Sequence, residues 1–214
     1  MEMQLIVAAV LCIIFWCINK QTAYIIGVAL ILSALTIHGI GIVFGAGIAA
    51  SSLEALTPLT AAVNIVVITA LVFLSLRFLR ANRLDDKRAL ITTLVILLAA
   101  IVIMAIALGL YHSGNIEQNK IAGSFKAAGA AIGFALGMYF ERLFIGFEVK
   151  STNIIGQIVK AAVGIIGVVA LQEVLLWNFE PGLFSDMVRH AFLMIWITVV
   201  YTYAIKRFFT KNPE

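Results

Sequence analysis

The sequence predicts an all-α fold: a polytopic transmembrane helix bundle of about seven spans, with the N-terminus outside and the C-terminus inside. Three observations predict it. The first is composition, since 63% of the 214 residues are hydrophobic and only 12% charged, with a mean hydropathy of +1.08. A soluble domain of this length cannot enclose that much apolar surface in one core. The second is the recurrence of apolar runs of roughly 20 residues, the length a helix needs to cross about 30 Å of hydrocarbon. The third is the placing of Lys and Arg, which gather in alternate connecting segments as cytoplasmic loops do. Together they make residues 1–214 a single integral-membrane domain, expected in a bacterial cytoplasmic membrane.

The first run, at about 3–19, carries Glu2 in place of a basic leader, and no small-residue cleavage site follows CINK. It therefore reads as a retained helix and not as a signal peptide. Cys12 and Cys17 stand five apart on it, on different faces, as apolar fillers do, and not as a disulfide or metal pair. The second run, at about 23–49, is long, and Gly39, Gly41, Gly45 and Gly47 predict a tilt or a break within HGIGIVFGAG. The third, at about 59–79, leads into RFLRANRLDDKRAL, a short inner loop whose Asp85 and Asp86 cap the fourth run at about 89–111. The fifth, at about 122–143, is the weakest, because Lys126 lies inside it. The sixth and seventh cover about 154–177 and 187–208.

Basic residues test this count independently. Inner segments receive Lys20; Arg77, Arg80, Arg83, Lys87 and Arg88; Arg142 and Lys150; and Lys206, Arg207 and Lys211. Outer segments receive only Lys120, Lys126 and Arg189, and Lys160 falls within the sixth run. Removing or adding one span would scramble this asymmetry. The net charge of +4 and pI near 9.2 thus belong to the inner membrane face, where anionic headgroups account for them, and nucleic acid is not an expected partner. The expected partners are membrane lipids, another membrane subunit or a second copy of the chain.

In AAGAAIGFALGMYFERLFIGFEVK the glycines Gly129, Gly133 and Gly137 recur every four residues, so one helix face is bare backbone. Glycine costs a soluble helix roughly 1 kcal/mol relative to alanine. In lipid, close backbone approach offsets that cost, so the stripe reads as a helix contact face. Gly156 and Gly164 frame Lys160 at the same spacing, a second packing stripe.

Candidate binding residues are the ionisable groups at depth or near one mouth. Lys160 either snorkels to the inner interface or faces the bundle and binds an anion or a carboxylate such as Glu141. Glu173, near the outer end of the sixth run, lies at a depth comparable to Lys126 and is its expected ion partner. Asn64 and Gln172 offer polar hooks between helices. His38, His112 and His190 all fall on the outer side, where Arg189 and Lys120 complete a cationic mouth suited to phosphate or another anion. No histidine pair has metal-ligand spacing, and no cofactor is expected. There is no phosphate-binding Gly-x-x-x-x-Gly-Lys-Ser/Thr loop, Gly-x-Ser-x-Gly elbow, paired-cysteine motif or His-Glu-x-x-His.

Two stretches resemble a known family. GFALGMYFERLFIGFEVKSTNIIGQIVKAAVGIIGVVAL resembles the C-terminal extension of bacterial integral-membrane phosphatases of the type 2 phosphatidic acid phosphatase superfamily. There, a helix ending in an aromatic-Glu-Arg sequence, here Tyr139-Phe140-Glu141-Arg142, is followed by a short aromatic-rich inner turn and further helices. FWCINKQTAYIIGVALILSAL is similar to that group's Trp-Cys-x-x-Lys inner turn. The resemblance implies a membrane enzyme that removes phosphate from a lipid, using Lys with Arg-Pro, then Ser-Gly-His, then Ser-Arg with a later His and Asp. None of these motifs occurs in this sequence, so no catalytic residue is carried over. The expectation is a shortened or degenerate relative that keeps the scaffold: a lipid-binding, scaffold or accessory subunit. The alternatives are a small transporter or translocase subunit for an anionic lipid or metabolite, and a phosphatase-like enzyme using the outer histidines.

Overall fold

The computed structural model describes residues 16–17, 20–47, 86–146 and 154–209. Most of the first run, the third run, Asn64 and the basic stretch before Asp86 lie outside them. The described residues form helices and short connections: α1 (Lys20–Gly47), α2 (Asp86–His112), α3 (Gln118–Phe140), α4 (Ile154–Asn178), α5 (Leu183–Ile195) and α6 (Tyr201–Phe209). A π-helical turn, Glu141–Ile145, extends α3, and a second, Trp196–Val200, joins α5 to α6. Four stretches are long and apolar enough to cross a membrane: Ala89–His112, Ile121–Ile145, Ile155–Asn178 and Leu183–Phe208. They correspond to the fourth through seventh runs.

α1 corresponds to the second run, and the break expected among its glycines does not occur, since the helix is continuous from Lys20 to Gly47. Neighbouring side chains hold it where propensity would not. Ile103 packs 3.6 Å from the place a Gly39 Cβ would take. Ile42 is buried in an apolar cluster with Ala107, Ile116, Ile121 and Phe125.

The fifth run, the weakest because Lys126 lies inside it, is the centre of the bundle. α3 packs against α1, α2 and α5, and Ala128, Ala131 and Ala135 along it are fully buried. Its low hydropathy comes from Gly, Ala and Ser, the residues that let helices approach closely in lipid. Backbone atoms of Met187 and Ala191 lie within 2.8 Å of the places a Cβ on Gly129 or Gly133 would occupy, and the Thr198 Cβ is 2.9 Å from that of Gly137. No side chain larger than hydrogen fits on that face without moving α5. α2 does the opposite job. It is apolar all round, and Leu90, Ile91, Leu94, Leu98 and Ile101 are exposed on the face that lipid would cover.

Contact registers give the directions of the helices. Gly27 meets Phe134 and His38 meets Gly123, so α1 and α3 are antiparallel. Gly39 meets Ile103, and Ile42 clusters with Ala107, so α1 and α2 are parallel. The run of Gly129, Gly133 and Gly137 against Met187, Ala191 and Thr198 makes α3 and α5 parallel. Gly47 and Asp86 consequently lie at opposite ends of the bundle. α4 docks through a single inward face on which Lys160, Gly164, Val168 and Leu175 are buried. The Trp16 ring covers Gly164 and the Trp196 ring covers Gly167.

Candidate functional site

At the Lys20 end of the bundle a charged network is built on a carboxylate closed off from water. Glu141, at the transition from α-helix to π-turn, has no exposed side-chain surface. One carboxylate oxygen accepts from Lys20 Nζ at 2.9 Å, and the other from the Tyr24 hydroxyl. Gly146, with φ of 56°, ends the turn in the left-handed conformation that glycine adopts without strain, and its N–H donates to the Glu141 carbonyl at 2.8 Å. Glu141 therefore meets α1 rather than Lys20 meeting the membrane surface alone. A buried carboxylate held by one cation and one hydroxyl is a helix-to-helix tie.

Lys160 does not snorkel to water: it is 3% exposed, on the docked face of α4. Its carbonyl accepts from the Tyr201 hydroxyl at 2.5 Å. Tyr201 stacks edge-on with Trp16 at 4.3 Å between ring centres, and Trp16 Nε1 donates to the Ile197 carbonyl at 3.2 Å. One turn before Lys160, the Gln157 carbonyl accepts from Cys17 Sγ at 3.5 Å. Gly156 lies half-buried on the same helix.

The other end gathers several of the candidate binding residues. Asp186, in the first turn of α5, is bridged by Arg189 one turn later and lies 4.0 Å from Lys126 Nζ on α3. Lys126 thus faces Asp186 and not Glu173, which is exposed on α4. The physical reason is the parallel α3/α5 contact, in which the bare stripe of α3 draws the start of α5 against Lys126. His190 Nδ1 lies 2.7 Å from the Asp186 carbonyl, and the charges of Lys126, Asp186 and Arg189 all act on its ring. His38 packs on Gly123, one turn ahead of Lys126, with its Nδ1 2.9 Å from the place of a Cβ there. His112 stands apart on the exposed last turn of α2, its Nδ1 3.1 Å from the Leu108 carbonyl. Lys120 lies in the first turn of α3. Within the cluster, Arg189 Nε and Ser185 Oγ are buried with no hydrogen-bond partner among the described residues.

Asp186 organises this site, and reading the sequence for basic residues passed over it. Its signal was local: Asp186 and Arg189 are three apart, adjacent on one helix face. Two cations and a histidine around one carboxylate leave net positive charge, and unfilled donors such as Arg189 Nε suit an oxyanion.

Comparison with known proteins covers residues 125–213, the part of the chain that carries Lys126, Asp186, Arg189, His190 and the Glu141 turn. No curated protein and no solved structure matches the chain. Residues 125–213 match the family model described as PAP2 superfamily phosphatase, transmembrane extension. That match includes the GFALGMYFERLF stretch and begins beyond FWCINKQTAYIIGVALILSAL. With most of α3 and all of α4, α5 and α6 inside it, this part of the chain is similar to the transmembrane extension of PAP2 superfamily phosphatases, and its apolar helices are those of an integral membrane protein.

Proposed function

We propose that the chain is a multi-pass membrane protein that binds lipid as a scaffold or accessory subunit, related to lipid phosphatases, and that the Lys126–Asp186–Arg189–His190 cluster takes an anionic headgroup. The observation that carries the reading is the convergence of Lys126 and Arg189 on one carboxylate beside His190, with Arg189 Nε buried and unfilled. Asp186 fixes the two cations in place, and a phosphate would supply the missing acceptors. The chain has none of the superfamily's Lys/Arg-Pro, Ser-Gly-His or Ser-Arg motifs, which supports binding without turnover. The unbroken α1 removes the discontinuous helix on which the transporter reading leaned.

The charge asymmetry supports placing this cluster on the outer side, with the N-terminus out and the C-terminus in. Parallel packing of α1 and α2 supports a return crossing between them, at about 59–79. Native mass spectrometry of the gently solubilised chain tests the headgroup assignment. Phosphatidic acid should be retained by the wild type and lost by roughly tenfold or more in Lys126→Ala/Arg189→Ala, since a charge-assisted contact is worth about 1.5–3 kcal/mol. Equal retention would overturn it.

One observation favours an enzymatic reading as the second choice. If the His190 Nδ1–H donates to the Asp186 carbonyl, Nε2 is left as the basic nitrogen, the form a nucleophilic or general-base histidine takes. Phosphate release from phosphatidic acid that His190→Ala abolishes would establish it. Release that persists, or none in the wild type, would retire it.

A further inference from the structure

Three donors on one face of α5, counted to its C-cap Trp196, lack acceptors. Ser185 Oγ, Arg189 Nε and Trp196 Nε1 are buried, and none has a hydrogen-bond partner among the described residues. Inside a membrane no water serves such a group, so it is costly to leave unfilled. The spacing 185, 189, 196 runs down one side of a helix, and Phe192 falls on the same side. Trp196 fixes where that side points. Its ring covers Gly167 of α4, with Nε1 3.2 Å from the place of a Cβ there. The stripe therefore borders the seam between α5 and α4, and α4 brings no polar side chain to it at Gly167 or at the neighbouring Val168. The seam opens on lipid between Arg189 and Trp196, where Phe192 is 50% exposed.

We infer that this seam holds the ester region of a diacyl phospholipid, Trp196 Nε1 donating to an ester carbonyl while the phosphate lies at Arg189 and Ser185. The inference rests on the headgroup assignment to the Lys126–Asp186–Arg189–His190 cluster and names the rest of that ligand. Depth decides the matching. α5 starts at the end away from Lys20, and Trp196 lies seven residues farther in than Arg189, about 10 Å along the axis. A lipid presents its groups in the same order, with phosphate outermost, ester carbonyls below it and acyl chains below those. Free phosphate would fill Arg189 and leave the indole N–H unserved. An ether-linked or isoprenoid phosphate brings no carbonyl to that depth, whereas a diacyl lipid does. Phe192 gives the chains an apolar ring to lie against where they leave the seam. Seating the lipid moves α4 off the Trp196 ring, and a ring resting on glycine has no interlocking side chain to hold it there.

The test offers the gently solubilised full chain equal amounts of diacyl phosphatidic acid and its dialkyl ether counterpart, and counts the bound lipids by native mass spectrometry. One hydrogen bond is worth roughly threefold to tenfold in affinity, so the wild type should retain the ester over the ether by that factor. Trp196→Phe keeps a ring over Gly167 but removes the N–H, and should bring the ratio to one. Lys126→Ala/Arg189→Ala should lower both lipids and leave the ratio as it was. Equal retention of ester and ether by the wild type would overturn the inference and leave the indole to a bound water, while the headgroup assignment would stand if the double variant still lost both lipids. This comparison needs no substitution, so it decides the matter even if Trp196→Phe fails to fold. A preference for the ester that persists in folded Trp196→Phe would also overturn it. Undiminished retention of both lipids by the double variant would instead remove the headgroup assignment, and this inference with it.

Discussion

Glu141 shows what one buried residue contributes here. Its carboxylate joins α3 to α1 through Lys20 and Tyr24, and removing it would take away an acceptor that both donors use. Breaking such a pair from one side costs about 3–5 kcal/mol. Glu141→Ala should therefore lower the melting temperature in detergent markedly. Glu141→Gln, which still accepts from Tyr24, should lose less. Equal melting of all three proteins would show that the tie carries no stability. The sequence marks Glu141-Arg142 as the inner limit of a helix, which is a matter of hydropathy. It does not show which residues the glutamate meets, because its partners lie 121 and 117 positions upstream. Asp186 was harder still to find: a lone acid among Arg189, His190 and Met187 reads as a surface residue until α5 is laid against Lys126.

α3 is the element that sets the spacing of the bundle. The four-residue glycine repeat is visible in the sequence, but the backbone it meets is not, since nothing local identifies Met187 and Ala191 as the opposing surface. Lys126 made this helix the weakest span because a cation is costly in lipid, whereas here it faces Asp186 and α3 is largely shielded from lipid by other helices. A Gly133→Leu side chain would be driven into the Ala191 main chain, forcing α3 and α5 apart at a cost of about 3 kcal/mol or more. Thermal unfolding should report that loss. Gly109→Ala, on the open side of α2 with nothing within 4 Å, should leave stability unchanged or raise it by up to about 1 kcal/mol. If both variants melted with the wild type, the close approach of α3 and α5 would be wrong.

Across the whole molecule the helix directions make a labelling experiment decisive. In a cysteine-free background, Ser113→Cys and Pro181→Cys should react alike with an impermeant maleimide from one side of sealed vesicles, and Phe144→Cys only from the other. Any other pattern would contradict the parallel α3/α5 pair. Helix pairings also govern how the chain is made. The bond from Lys20 to Glu141 closes over 121 residues, and at roughly 5–20 residues per second of synthesis that gap lasts on the order of 6–24 s. Throughout it the Lys20 ammonium and the Tyr24 hydroxyl wait for a helix not yet translated. The middle helix α3 thus supplies the partner of α1 before α4, α5 and α6 have been translated.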